Sequence, residues 1–255
     1  MDDPTPFHMV RLWLESPGLT TVGKMNHLPL SQTSTLYLAH CALKELFGDR
    51  APKPFHVENG EDSGRYVRVL GYAGADSEAL ESEARIGTDP TIYDICDWDR
   101  LRSKPMPESF PEGMQLSFEV RACPIVRKSS AGEGPNGREW REGQELDAFL
   151  SRAWENPDEE LTREGVYRDW LIRQFEVRGG AAIDPESVGM SRFSIERMVR
   201  RTHGDDRSVN VIKRPDVTLH GTLEVTDSDT FRKVLRSGVG GHKTFGYGML
   251  KVQRA

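Results

Sequence analysis

The sequence predicts an α+β chain built of two tandem βαββαβ units. Three observations carry the prediction. Short runs alternate apolar and polar residues at 8–14, 54–58, 65–73 and 114–126. Capped segments with a helical apolar period lie between them. The same order of elements then returns after residue 145. With 255 residues, 36% hydrophobic content and five tryptophans, the chain has apolar surface enough for one large core or two small ones.

HMVRLWL (8–14) opens as a strand. A loop containing Pro17, Gly18, Gly23 and Pro29 follows. SQTSTLYLAHCALKELFGD (31–49) reads as a helix capped by Ser34 or Thr33 and stopped by Gly48. Its buried face is Leu36, Ala39, Leu43, Leu46 and Phe47. PFHVE and RYVRVLGYA form a hairpin across NGEDSG, ADSEALESEARIG is an acidic helix, and MQLSFEVRACPIV (114–126) is the strand that completes the first unit. Residues 1–128 thus form an N-terminal ferredoxin-like (RRM-like) domain. Residues 129–144, rich in glycine and charge, are a mobile linker.

Residues 145–255 form the second ferredoxin-like domain. Helical stretches at about 145–156 and 162–177 precede strands at RFSIERMVRR and VIKRPDVTLHGTLEVTD. A short helix follows, capped by Ser228 or Asp227, with Phe231, Val234 and Leu235 inward and Gly238 as its stop. FGYGMLKV is the last strand. Between helix and strand lies SGVGGHKTFGYGML, Ser237 to Leu250. A dinucleotide loop would follow a strand and open a helix, and here the order is reversed. A nucleotide P-loop needs glycine before its lysine, and here His242 precedes Lys243. Two readings remain: a tight turn, or a loop whose N–H groups lie against a phosphodiester backbone.

The net charge of −6 speaks against a polyanionic partner until its distribution is read. Residues 188–255 carry 13 Lys/Arg against 7 Asp/Glu, a net of +6, which leaves −12 for residues 1–187. No acid occurs after residue 230. Such a basic back half suits a bound nucleic acid. No run is apolar enough to cross a membrane, the acidic N-terminus is not a secretory signal, and the cysteines Cys41, Cys96 and Cys123 form no C-x-x-C pair. These features predict a reduced, cytoplasmic protein with no cofactor, no metal site and no membrane partner.

Three stretches together resemble the CasE family of CRISPR-associated RAMP endoribonucleases, the processing nucleases of Cascade-type complexes. They are LYLAHCALKELFGDR (36–50), PFHVE (54–58) and GTLEVTDSDTFRKVLRSGVGGHKTFGYGML (221–250). The resemblance implies metal-independent cleavage of CRISPR precursor RNA at repeat hairpins by 2′-hydroxyl attack. It implies a chain that stays bound as a subunit beside other Cas proteins. The alternative is a non-catalytic RAMP subunit that holds guide RNA on the same fold. Type I-E and type IV systems are not separated by these motifs.

The family places a tyrosine and a histidine three residues apart on its active-site helix, as Tyr37 and His40 stand here. That spacing puts both on one face, and Lys44 is one turn further on. Histidine is the side chain suited to proton transfer near neutral pH; the competing reading is a half-buried aromatic beside a satisfied core histidine. Lys24 and His27, in the preceding loop, are competing helpers. For the RNA stem, the expected contacts are Arg127, Lys128, Arg138 and Arg141 in the linker, and Arg192, Arg197, Arg200 and Arg201 around the strand. Gly240, Gly241, His242, Lys243 and Gly246 would bind from the glycine loop, with His242 and Lys243 projecting from it.

Overall fold

In the computed structural model of the protein, residues 6–59, 64–134, 137–201 and 209–255 are described. The first unit runs β1 (His8–Glu15), α1 (Ser16–Met25), α2 (Thr35–Phe47), β2 (Phe55–Asn59), β3 (Tyr66–Ala73), α3 (Ser77–Gly87), α4 (Pro90–Tyr93) and β4 (Arg102–Pro105). Alternation along β1 buries Val10, Leu12 and Leu14 on one face. The sheet order is β2-β3-β1-β4, with Leu12 opposite Val69 and Val10 opposite Ser103, both pairings antiparallel. α2 begins at Ser34, whose hydroxyl accepts from the Tyr37 N–H, and ends at Gly48 in a positive-φ conformation. Leu36, Ala39, Leu43, Leu46 and Phe47 are buried as their spacing requires.

The chain continues through β5 (Gln115–Ala122), β6 (Ile125–Arg127), β7 (Gly132–Gly134), β8 (Arg138–Trp140), β9 (Glu145–Asp147), α5 (Ala148–Glu155) and α6 (Arg163–Arg178). Then come β10 (Ala181–Ile183), β11 (Gly189–Arg201), β12 (Val209–Val225), α7 (Ser228–Ser237) and β13 (Leu250–Arg254). The second sheet runs β10-β12-β5-β13, and β11 pairs with β12 as a long arm. Numbered by their own order, β5, β10, β12 and β13 repeat the 2-3-1-4 arrangement of the first sheet. Both halves are therefore ferredoxin-like.

That repetition corrects the expected role of 114–126. The stretch does not complete the first sheet; it founds the second, with Val120 opposite Leu219 on one side and Leu250 on the other. The closing strand of the first sheet is the short β4, which has a largely exposed, polar sequence without an alternating apolar signal. Sheet membership thus changes between Pro105 and Gln115, ahead of the boundary expected at residue 128.

Other departures have local causes. Residues 16–25, expected as loop, are helical: Pro17 takes an N-terminal helix position, where it costs little. Gly18 and Gly23 are sites of close packing, since a Cβ would meet Ile95 Cγ1 at 2.7 Å and Leu30 Cδ2 at 2.5 Å. The expected mobile linker contains the β7–β8 hairpin. It is pinned by Trp140 stacked on Trp154 with centroids 6.1 Å apart. Residues 145–147 are strand rather than helix, and Asp147 caps α5. The last strand starts at Leu250, not Phe245, because Gly246 and Gly248 hold positive φ.

Candidate active site

α2 carries Tyr37 and His40 on one face, turned toward the second half of the chain. The His40 ring lies 5.9 Å from Tyr37 and nearly parallel to Phe55 of β2, at 6.4 Å. His40 is half-buried. Burial, then Lys53, then Lys44, hold its pKa below the ordinary 6.5. The imidazole is therefore neutral at pH 7, the form that accepts a proton.

His40 opens onto a cleft of about 940 Å³. Lys44, Lys53 and Asp76 line it from the first half, Arg236 of α7 and Thr244 of the glycine loop from the second. The two halves are joined beneath it by the buried Tyr72, whose hydroxyl donates to the Leu250 carbonyl at 2.8 Å.

The glycine loop packs directly on α2. Phe245 stacks on Tyr37 with centroids 5.0 Å apart. Gly246, at φ +73°, leaves room for Phe55 and Leu36, which a Cβ would meet at 3.2 and 3.4 Å. Gly240, at φ +72°, passes over Trp170 in the same way. Gly241 has no such constraint; its nearest neighbour is Ile125 at the outer limit of contact. The fold thus uses Gly240 and Gly246 for packing and turning. Lys243 is partly buried, and burial, Arg178 and Lys53 push its ammonium pKa down. His242 does not project from the loop. It turns inward, its Nε2 3.3 Å from Glu145 Oε2, in a left-handed conformation.

No curated protein matches the chain by sequence. The family model for CRISPR associated protein matches residues 8–254. The chain belongs to the CRISPR-associated protein family. Its fold is similar to that of Thermus thermophilus Cse3, solved bound to an RNA representing a pre-cleavage complex. The TM-score is 0.61 at 17% identity, over 97% of this chain and 99% of that one. Cas6e from Escherichia coli str. K-12 gives a TM-score of 0.52 at 16% identity, over 97% and 100%. A chain of a CRISPR RNA-guided surveillance complex gives 0.50 at 16%, over 97% and 100%. At these identities the likeness speaks for the fold.

Within this family member the remaining expected residues scatter. Lys24 and His27 are exposed at the end of α1 and beyond it, and neither lines the cleft. The first-half lysines on the cleft are Lys44 and Lys53. Arg127 is exposed and bonds Glu145 at 3.2 Å. Lys128 pairs with Glu155 and lies 4.5 Å from the centre of the Trp140 ring. Arg138 lies over Trp154 at 5.9 Å, and Arg141 is exposed. Of these, Arg127 lies in β6 and Arg138 in β8, while Lys128 and Arg141 lie in connecting segments. Arg192 and Arg197 are exposed on β11, with Arg192 3.7 Å from Asp216. The Arg200 and Arg201 side chains lie outside the described residues.

Three contributors escaped sequence reasoning: Lys53, Arg236 and Phe245. Lys53 had a local signal, since Pro52 and Pro54 bracket it and stiffen its backbone. The others are brought in by non-local pairing. Among the described residues no three His, Cys, Asp or Glu side chains converge as a metal site would require, and no helix is long and apolar enough to cross a membrane.

Proposed function

We propose that the chain is a CRISPR endoribonuclease that cuts precursor RNA at repeat hairpins without a metal ion. We further propose that it remains bound as a subunit of a Cascade-like complex in the cytoplasm. The observation that carries this reading is His40, half-buried on a cation-lined cleft in a family member of this fold. The neutral imidazole takes the proton of the 2′-hydroxyl beside the scissile phosphate. That oxygen bonds to phosphorus, the bond to the 5′-oxygen breaks, and the departing oxygen takes up a proton. The products are a 2′,3′-cyclic phosphate and a 5′-hydroxyl. Lys44 offsets the charge that develops on the phosphorane, and Tyr37 orients the attacking strand. The positive back half, with Arg192, Arg197 and Lys243, holds the stem by its phosphates.

His40→Ala, assayed in single turnover on the repeat RNA of the neighbouring array with EDTA present, tests the reading. The expected result is a loss of about 100-fold or more in cleavage rate with hairpin affinity nearly unchanged. Wild-type cleavage by the variant would make His40 a structural residue. Loss of wild-type activity in EDTA would overturn the metal-independent part. Tight hairpin binding with no cleavage by wild type would favour the non-catalytic subunit.

A further inference from the structure

We infer that the cleft beside His40 also seats single-stranded RNA running on from the cleavage point, its phosphates held by Lys53 on one wall and Arg236 on the other. The inference rests on the RNA-cleaving reading above and extends it to a second stretch of the substrate. Its basis is the charge and build of the cleft. The first half of the chain is acidic in sum, yet the lining carries Lys44, Arg50, Lys53 and Arg236 against Asp49 and Asp76, with His8 and His40 besides. Two of these charges are committed elsewhere: Arg50 pairs with Glu83 at 3.2 Å, and Asp76 accepts from the Ala79 N–H as the cap of α3. Over the whole lining, lysines and arginines outnumber carboxylates four to two.

Lys53 has a fixed base. Its N–H donates to the Tyr72 carbonyl at 2.7 Å, and the next carbonyl, of Pro54, accepts from the Tyr72 N–H at 3.0 Å. Two hydrogen bonds to β3 therefore set where the exposed lysine starts. Arg236 enters from the second half, its guanidinium 4.4 Å above the Phe7 ring. Burial and the neighbouring Arg232 disfavour its charged form, a cost that a bound anion would offset. Thr244 brings the glycine loop onto the same lining as His40.

The occupant is a single strand because a cavity of about 940 Å³ takes a few nucleotides and not a duplex. Phe7 and Tyr72 are almost fully buried, 5% and 1% exposed, so they offer no stacking face to a base. Recognition is thus of the backbone, tolerant of sequence.

Fluorescent hexauridylate and hexaadenylate, which form no hairpin, isolate this seat from the stem. Wild type and His40→Ala are expected to bind both alike. Lys53→Ala and Arg236→Ala should each weaken binding about tenfold and reduce the salt slope by about 0.7, the step for one phosphate on a single strand. Lys53→Arg should retain affinity. Lys53 is exposed, so its variant tests the seat even where Arg236→Ala disturbs packing on Phe7. Zero-length cross-links from 4-thiouridine should map to the cleft wall. No binding of either hexamer by wild type, unchanged affinity in Lys53→Ala, or cross-links confined to β11 would overturn the inference. Cleavage surviving His40→Ala, with hexamer binding intact, would instead sink the catalytic reading alone.

Discussion

The Tyr37 ring lies against Phe245 with centroids 5.0 Å apart and planes 23° from parallel. One residue belongs to the helix that bears His40, the other to the glycine loop from the far end of the chain. The stack makes the loop a support for the helix face on which the proposed chemistry depends. Phe245→Leu keeps apolar volume but loses the aromatic contact, worth about 1 kcal/mol. The expected outcome is a five- to tenfold slower single-turnover rate with hairpin affinity held, and rescue by Phe245→Tyr. Equal losses in rate and affinity would mean the loop, not the helix, was disturbed.

The rate should depend on pH through His40. Its pKa is lowered in the folded protein, so the neutral base persists to lower pH than a free imidazole allows. Cleavage is expected to be flat near pH 7 and to fall as pH drops through that lowered pKa, with the midpoint below 6.5. Lys53→Ala removes the cation that is the second largest cause of the shift, so the midpoint should move up toward 6.5. A pH–rate series on the two proteins checks both. A midpoint above 6.5 in wild type would contradict the neutral-base assignment.

Charge and backbone should separate in the glycine loop. Lys243→Ala and Arg197→Ala each remove one cation, and each should reduce the salt slope of hairpin binding by about one unit. Gly246→Ala removes none. It places a Cβ at φ +73°, 3.2 Å from Phe55, so affinity should fall with the slope kept. Equilibrium binding at three salt concentrations distinguishes the two kinds of loss. Equal slopes in wild type and in the Lys243/Arg197 double variant would place the stem elsewhere, with Arg127, Arg138 and Arg141 next in line.

Arg121 of β5 donates to both carboxylate oxygens of Asp216 in β12, at 2.7 and 2.6 Å, and both side chains are buried. The Ser194 hydroxyl of β11 also donates to that carboxylate, at 3.2 Å. Asp216→Asn leaves a buried arginine without its counter-charge, and should cost about 3–5 kcal/mol in denaturant unfolding. A loss under 1 kcal/mol would show that water reaches the pair.

Much of this was readable from residues close in sequence. Ser34, Gly48, Asp227 and Gly238 mark helix ends by local chemistry, and each does so in the fold. The face of Leu36, Ala39 and Leu43 follows from period alone. What escaped is what alternation cannot encode. A strand such as 115–122 declares itself as a strand, but its sheet is decided by partners a hundred residues away. The same limit hid the cleft, since Lys53 and Arg236 come to line one cavity from distant parts of the chain. Gly18 and Gly23 misled for the opposite reason: glycine that permits close packing reads like glycine that breaks a helix.

The placing of β5 between β12 and β13 also sets an order of assembly. Leu12 finds Val69 after one short excursion of the chain, whereas Val120 must wait for Leu250. Contacts of such separation close slowly, because the loop entropy is lost before the pairing is gained. On a ribosome the first sheet has all its strands once residue 105 has emerged, while β5 stays a bare apolar edge until the last strand of its sheet arrives. The cleft and the stack of Tyr37 on Phe245 thus come into being late, when the C-terminal strand docks, so a nascent chain would hold His40 without its supporting loop.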